Sequence, residues 1–346
     1  VYRDLNSLGD ILPNPLISVV ILTWNRKDDL LLAINSVYSQ KYEPIEVIIV
    51  DSNSTDGTQE AVLSTYPCVK YIRLPYNFGV IGGRNIGMAN AEGDLFFFLD
   101  DDAELLDSDA FAKVVRRFDE EPELAVLFFR YVLEDGAQWG WALSYKPDSS
   151  WLDRELYATT FVGCAHCIHR TWVERIGYFK SEYFRDGEEA DFSYRVYAEG
   201  GRVLYYPGVK VLHRLNPYQR IYADHRAHKL AHRTENDFTY LAWSDALVTV
   251  VWRLAASFMQ SLWNGWFQGY LMGCSRIVKA LPRIIRKRRP LDSQKMNLIR
   301  TLRCFVVSDF GLAQKRRTTL YDWIRVRICN RPRGLIEGSF ANGLDC

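Results

Sequence analysis

Net charge is almost absent from this chain: 43 Lys and Arg stand against 42 Asp and Glu, leaving +1 over 346 residues. That balance excludes a globally basic nucleic-acid binder, and no nucleic acid is expected among the partners. A disulfide framework is missing too. Cys68, Cys164, Cys167, Cys274, Cys304, Cys329 and Cys346 make an odd, scattered set of 7 in a chain large enough to be held by its core, which points to a reducing compartment. Cys164 and Cys167 form a CxxC with His166 inside it and His169 beyond, half of a zinc site, but no second pair follows at matching spacing. The segment FVGCAHCIHR therefore reads as a partly buried strand. Also lacking is a charged amino-terminal region with an apolar core and small-residue cleavage site; the sequence opens at Val1. Ordinary apolar and charged fractions, 48% and 25%, exclude disorder as the default, and the length allows two domains or one with a large appendage.

What is present is an aspartate triplet, Asp100, Asp101 and Asp102, directly behind the apolar run LFFFL. Such a run reads as a buried strand that carries negative charge to the end of a sheet. Hard divalent ions take oxygen ligands, and Mg²⁺ is commonly shared between a few carboxylates and substrate phosphates. A metal-diphosphate site is one reading of the triplet. A solvated acidic turn that caps the next helix is the other.

The surroundings are those of an α/β protein. Residues 1–14 lack periodicity and form a lead-in. ISVVILT reads as a strand, the stretch WNRKDDLLLAINSVYSQ has helical spacing at Leu30, Leu31, Ile34 and Val37, and IEVIIVD is a second strand. Asp56 and Gly57 open another helix, VKYIRL returns as a strand, GGRNIGMANA is helical and LFFFLD follows. Alternating strands and helices predict a mostly parallel, Rossmann-like sheet flanked by helices, with ligands beyond the carboxyl ends of the strands. Three of those ends are polar: Thr23 to Arg26, Asp51 to Ser54, and Asp100 to Asp102. They should converge on one crevice. Further on, Trp139, Trp141 and Trp151 suit either stacking on sugar rings or filling a mixed sheet.

Past His232 the character changes. Leu254 to Cys274 holds no charged side chain, and Gln260, Asn264 and Gln268 recur every four residues, which predicts one amphipathic face rather than a clean span. The following segment brings Arg276, Lys279, Arg283, Arg286, Lys287, Arg288 and Arg289 without an acidic residue. With Trp263 and Trp266 as interfacial aromatics, residues 254–289 suit an anionic membrane surface. A solvated basic helix or a homodimer contact are the alternatives.

Read in order, VVILTWNRKDDL, VDSNSTDGT, NFGVIGGRNIG and FFFLDDDAEL closely resemble the nucleotide-sugar half of inverting family-2 glycosyltransferases with the GT-A fold. FVGCAHCIHRTWVERIGYFKSEYFRDGEEADFSYRVYAEGGRV and VLHRLNP are similar to the acceptor half of rhamnosyltransferase-like members. The resemblance covers about residues 16–215 and implies a GT-A domain over 15–235, with a donor half of about 15–105 and an acceptor half of about 106–235. Residues 236–346 would be a helical, basic C-terminal region. Also implied are a dTDP- or UDP-sugar donor, a glycan, lipid-linked saccharide or natural-product acceptor, Mg²⁺ or Mn²⁺, and a cytoplasmic protein, peripheral at the membrane.

Residue by residue, the resemblance implies that Thr23, Asn25, Arg26 and Asn53 line the nucleoside pocket and that Asp51 bonds the base. Gly82 and Gly83 would let the donor approach the backbone, and Arg84 would meet phosphate or ribose oxygens. Asp100 and Asp102 are the outer pair of a DxD motif and the expected metal ligands; Asp101, between them, lies on the donor side with less of a direct role. His213 occupies the place of a histidine that contacts the metal or diphosphate. Glu189 falls on the general-base position, where aspartate is usual, with Glu188 or Asp191 as fallback and Asp191 better suited to acceptor binding or support. His225, His228 and His232 share a helical face, as a zinc triad or as a polar helix near the phosphates. A sugar nucleotidyltransferase is disfavoured because TWNRKDD replaces the glycine-rich loop those enzymes carry. A dinucleotide oxidoreductase is disfavoured because GVIGGRNIG lacks GxGxxG spacing. A non-catalytic binding module of the same fold remains an alternative.

Overall fold

The computed structural model describes residues 14–139, 152–214, 222–308 and 311–315. Outside these lie residues 1–13 of the lead-in, Trp141, Trp151, residues 215–217 of the VLHRLNP segment, Cys329 and Cys346.

The first half alternates as the apolar pattern requires: β1 (Ile17–Thr23), α1 (Lys27–Tyr38), β2 (Ile45–Asp51), α2 (Thr58–Thr65), β3 (Lys70–Arg73), α3 (Gly79–Ala89) and β4 (Leu95–Asp100). The second half is less regular: β5 (Ala103–Leu105), α4 (Ala110–Asp119), β6 (Leu124–Val132), β7 (Gln138–Trp139), β8 (Leu156–Tyr157), β9 (Ala165–His169), α5 (Arg170–Ile176), α6 (Glu188–Ala198) and β10 (Arg202–His213). Helices α7 (Tyr222–Tyr240), α8 (Trp243–Trp263), α9 (Phe267–Lys287) and α10 (Ser293–Cys304) follow, then a small hairpin of β11 (Phe305–Ser308) and β12 (Gly311–Lys315).

Among the described residues the main sheet has ten strands, in the order β3-β2-β1-β4-β9-β6-β10-β5 with β7 and β8 at its side. β3, β2, β1 and β4 are parallel; β9 runs antiparallel between β4 and β6. The sheet is thus parallel in the donor half and mixed in the acceptor half. Alternate residues of the buried strands face opposite layers. Ile17, Val19, Ile21, Phe97 and Leu99 pack with α1 and α4, whereas Val20, Ile48, Val50, Phe96 and Phe98 pack toward α3 and α6. The FVGCAHCIHR segment supplies β9, with Cys164 and Cys167 buried and in no disulfide and His166 stacked on Phe98 at 4.7 Å, so the structural reading of that CxxC holds.

Two glycines in α3 serve packing. A Cβ on Gly83 would fall inside the side chain of Leu22 on β1, and one on Gly87 inside that of Val20. Gly82 faces its own helix, where a Cβ would lie 2.8 Å from Phe78 Cβ. The expected close donor approach at Gly82 and Gly83 is therefore corrected: the missing side chain of Gly83 brings α3 against the sheet, and that of Gly82 makes room for Phe78.

The C-terminal helices are built onto the same body. Residue 235 lies within α7, and Tyr240, Leu241, Ala246, Met296, Ile299 and Leu302 join the apolar layer that covers the α6 side of the sheet. The expected continuous helix from Leu254 to Cys274 is broken after Trp263, where Gly265 adopts φ 71°, so Gln260, Asn264 and Gln268 do not share one helical face. The basic run is also divided. Arg276 pairs with Asp224 at 2.7 Å, Arg283 with Glu235 at 2.7 Å and Lys287 with Glu182 at 3.1 Å, while the Arg288 guanidinium lies 4.0 Å from the Trp243 ring centroid.

Gly83→Ala should cost about 1–3 kcal/mol in urea denaturation, because a new methyl overpacks the α3–β1 contact. Adding Leu22→Ala should recover part of that loss. A neutral Gly83→Ala would show that α3 does not need the glycine.

Candidate functional site

Register sets the site. Thr23 pairs with Asp51, and Leu22 with Asp100, so the polar ends of β1, β2 and β4 reach the same edge of the sheet. Their loops interlock there. The Asn25 N–H donates to Ser54 Oγ at 2.9 Å, and the Thr55 N–H donates to Asn25 Oδ1 at 2.7 Å. Asn25 and Asn53 adopt φ of 52° and 66°, in the left-handed region that asparagine tolerates. Asn53 Oδ1 accepts from Arg73 at 3.1 Å.

Asp51 departs from expectation. It has no exposed surface; its Oδ1 accepts from the Ser54 N–H at 2.8 Å and its Oδ2 from the Tyr71 hydroxyl at 2.9 Å. Burial and the nearby Asp51 charge push the Tyr71 hydroxyl well above its ordinary range. A carboxylate at a strand end whose loop folds back meets its own turn first, so here Asp51 anchors the loop and presents no free face to a base.

The three aspartates have three environments. Asp100 keeps a side chain 36% exposed, while Asp101 and Asp102 are buried. Asp101 accepts from Thr23 Oγ1 at 2.9 Å and from Arg26 Nη1 at 3.2 Å. Asp102 takes a close ion pair from the same Arg26 nitrogen, and its Oδ1 lies 3.4 Å from His213 Nε2. The backbone is clasped as well: Asp100 N–H donates to the Cys164 carbonyl and Arg214 N–H to that of Asp102, both at 2.8 Å. Burial pushes the Asp101 carboxyl up to about 7 against the pull of Arg26. Burial opposes ionisation of Asp102 too, yet His213 and Arg26 hold it below the usual carboxylate range. Asp101 therefore holds the loop.

Donor atoms of Asp100, Cys164 and His213 lie within 4.8 Å of one another, with Asp102 beside His213. Two carboxylates and an imidazole suit Mg²⁺ or Mn²⁺, so the residues fit such an ion; the thiol is the softer, less suited member. Sequence reading placed Cys164 in the core alone. Its presence beside Asp100 follows from the β4–β9 pairing, a contact between strands far apart in the chain.

Arg84 does not face solvent as expected. It is 4% exposed, and its Nη2 donates to Asp100 Oδ1 at 3.0 Å and to the Gly163 carbonyl at 2.7 Å, while Nη1 donates to Glu188 Oε1 at 3.3 Å. One guanidinium thus joins the donor and acceptor halves. Glu188 is 2% exposed with Oε2 buried and without a partner; burial, and then the neighbouring Glu189, raise its carboxyl well above the ordinary value despite Arg84. Glu189 is half-buried. A Cβ on Gly163 would lie 3.0 Å from both terminal nitrogens of Arg84 and from Glu189 Oε1, so the three groups meet over this glycine. Asp191 has no exposed surface and is bound to Tyr240 at 2.7 Å, Lys180 at 2.6 Å and Arg195 at 2.9 Å. Of its expected roles only support survives; neither a fallback base nor an acceptor contact can be fully enclosed.

α7 braces this acidic helix start. A Cβ on Gly187, at φ 97°, would lie 2.6 Å from His232 Cβ, and Asn236 donates to the Gly187 carbonyl at 2.7 Å. His232 Nδ1 sits 2.7 Å from the Asp186 carbonyl, with its ring stacked on Tyr183, while His225 lies 3.1 Å from Asp186 and His228 3.5 Å from Asp224. His225 and His232 both meet Asp186, through its carboxylate and its carbonyl, while His228 meets Asp224. Sequence reading missed Lys229 and Arg233 on the same helix. Arg233 and burial push the Lys229 ammonium down to about 8, while Asp186 and Glu189 pull the other way. Their four-residue spacing on a helix was the available signal.

Glu188 binds its proton more tightly in the folded chain than unfolded, so its contribution to stability is full below the ordinary glutamate value and is lost as pH rises. Glu188→Gln should remove that part of the decline between pH 5 and pH 8. Arg84→Met should cost about 3–5 kcal/mol at pH 8 and less at pH 5, because protonation relieves a buried carboxylate that has lost its partner. Urea denaturation at both pH values measures this; an equal loss at each would separate Arg84 from Glu188.

Comparison with known proteins agrees with this geometry. Residues 18–181 match the sequence model described as glycosyl transferase family 2. The GalNAc(5)-diNAcBac-PP-undecaprenol beta-1,3-glucosyltransferase of Campylobacter jejuni is 38% identical over 96 residues, 27% of this chain and 31% of that protein. The UDP-Glc:alpha-D-GlcNAc-diphosphoundecaprenol beta-1,3-glucosyltransferase WfaP of Escherichia coli is 35% identical over 89 residues, 25% of this chain and 35% of that protein. The matched segments span about a third of the length of these curated relatives. Among solved structures, S. aureus TarS 1-349 in complex with UDP-GlcNAc has a TM-score of 0.56 at 18% identity, covering 83% of this chain and 85% of that one. The mannosyltransferase PcManGT from Pyrobaculum calidifontis in complex with GDP-Man and Mn2+ has a TM-score of 0.53 at 19% identity, covering 78% of this chain and 76% of that one. Residues 18–181, just under half of the chain, thus match glycosyl transferase family 2, and the mixed sheet that carries them has the GT-A fold.

Proposed function

We propose that the protein transfers a sugar from a nucleoside diphosphate to an acceptor hydroxyl with inversion at the anomeric carbon, Glu189 acting as general base. The observation that carries this is the meeting of Glu189 Oε1 with Arg84 over Gly163, because the same guanidinium holds Asp100 at the donor edge. Base and donor acids are thereby held in one frame. Gly163 leaves room for the extra methylene that Glu189 has over the usual aspartate.

An alcohol is a poor nucleophile until its proton leaves. Glu189 accepts that proton as the oxygen attacks, a contribution of about 10² to 10⁴-fold. Asp100, Asp102 and His213 would hold Mg²⁺ or Mn²⁺. A divalent cation there supplies charge neutralisation for the departing diphosphate. Asn25, Arg26 and Asn53 border the nucleoside side, with Thr23, Asp51 and Asp101 fixing their loops from within.

The donor is a UDP- or dTDP-sugar and the acceptor a lipid-linked saccharide, which puts the enzyme at the cytoplasmic membrane face. Two relatives named for glucosyl transfer to undecaprenyl-diphosphate saccharides support this choice, as does a structural neighbour holding UDP-GlcNAc.

Glu189→Gln should lower turnover by about 10² to 10⁴-fold while UDP affinity stays within a few-fold; activity near wild type would remove Glu189 from the base role. Asp102→Ala should abolish the Mn²⁺-dependent part of UDP binding, read by titration calorimetry with and without the ion. Undiminished transfer in excess chelator would sink the metal assignment.

A further inference from the structure

α8 and α9 form a hairpin with one apolar face turned outward. On α8, Leu247, Val251, Met259 and Leu262 are more than half exposed, and Trp263 at the tip is 90% exposed. On α9, Leu271, Val278 and Ile285 are likewise more than half exposed, spaced seven apart so that they share one stripe. Phe258 packs edge-on against Phe267 and Tyr270 across the hairpin, at 6.0 and 5.6 Å between centroids, which joins the two helices near its tip. Exposed apolar stripes of this kind mark an interaction site.

The opposite face of α8 is tied down. Asp245 is fully buried and paired with Arg300 at 2.7 Å, Arg253 pairs with Asp237, and Ala246, Thr249 and Val250 are buried against the body. α8 is long and apolar enough to cross a bilayer, but crossing would break both ion pairs and strip the buried layer. A helix held on one face and apolar on the other lies on a surface. Lys279 and Arg286 follow Val278 and Ile285 directly and are exposed, as is Arg289, so cationic groups flank the stripe where headgroups would stand.

We infer that this hairpin, from Trp243 to Arg289, docks the protein on an anionic lipid bilayer by burying the α8–α9 stripe at the headgroup boundary. The surface begins eleven residues before the one read from sequence and excludes Arg276, Arg283 and Lys287, which serve internal ion pairs. The inference deepens the lipid-linked acceptor reading, since a docked enzyme meets such acceptors in two dimensions, but it is testable apart from it.

The test is flotation of the full chain with phosphatidylcholine vesicles, with and without one third phosphatidylglycerol. The chain should float with the anionic vesicles and lose that association as salt rises. Leu247→Asn/Val251→Asn/Leu262→Asn should reduce partitioning at least tenfold with UDP affinity and melting temperature unchanged, and Lys279→Ala/Arg286→Ala should lower it roughly tenfold on anionic vesicles alone. Absence of flotation by the full chain overturns the inference, as does a dimer in sedimentation that the triple variant dissociates without any vesicle binding. Flotation in a protein that transfers no sugar would leave the surface standing and remove the proposed reaction instead.

Discussion

Everything around the site depends on one buried cation. The Arg84 guanidinium sits at the junction of α3, the end of β4, the approach to β9 and the start of α6, touching Asp100, Gly163 and Glu188. A guanidinium out of water requires carboxylates around it, so these four pieces of chain are mutually dependent. α3 can reach that junction because Gly83 and Gly87 let it lie close on β1. Glu189 takes its place as the next residue after a carboxylate that is itself held.

The C-terminal helices belong to this arrangement. α7 supports Gly187 and Asp186 through His232 and Asn236, and α10 ties α8 to the body through Arg300 and Asp245. Their inner faces combine buried ion pairs with apolar residues such as Ala246 and Ile299, and the outer face of the α8–α9 hairpin is apolar and exposed. One set of helices thus completes the wall behind Glu189 and presents a surface to the outside. The two roles use opposite sides of the same elements.

Local pattern made much of this legible. β1, β2 and β4 are continuous apolar runs that end in polar residues, so their boundaries and common edge could be read directly, and Asp100 and Asp102 both lie near His213. What was not legible depends on pairings distant in sequence. Asp51 is enclosed by Tyr71, Arg84 is claimed by Glu188, and Cys164 is brought to Asp100 by an antiparallel strand. Two of the seven basic residues that looked like a free cluster, Arg276 and Arg283, are consumed by acids on α7. The helix break at Gly265 had a signal, a glycine between two apolar stretches, that the four-residue spacing of Gln260, Asn264 and Gln268 concealed.

The central claim is a single displacement in which a carboxylate deprotonates the acceptor and never bonds to the sugar. It is tested most directly by the anomeric configuration of the first product, followed by NMR with whichever UDP- or dTDP-sugar the protein accepts. An α-linked donor should yield a β-linked product. Retention of the donor's configuration would contradict the account.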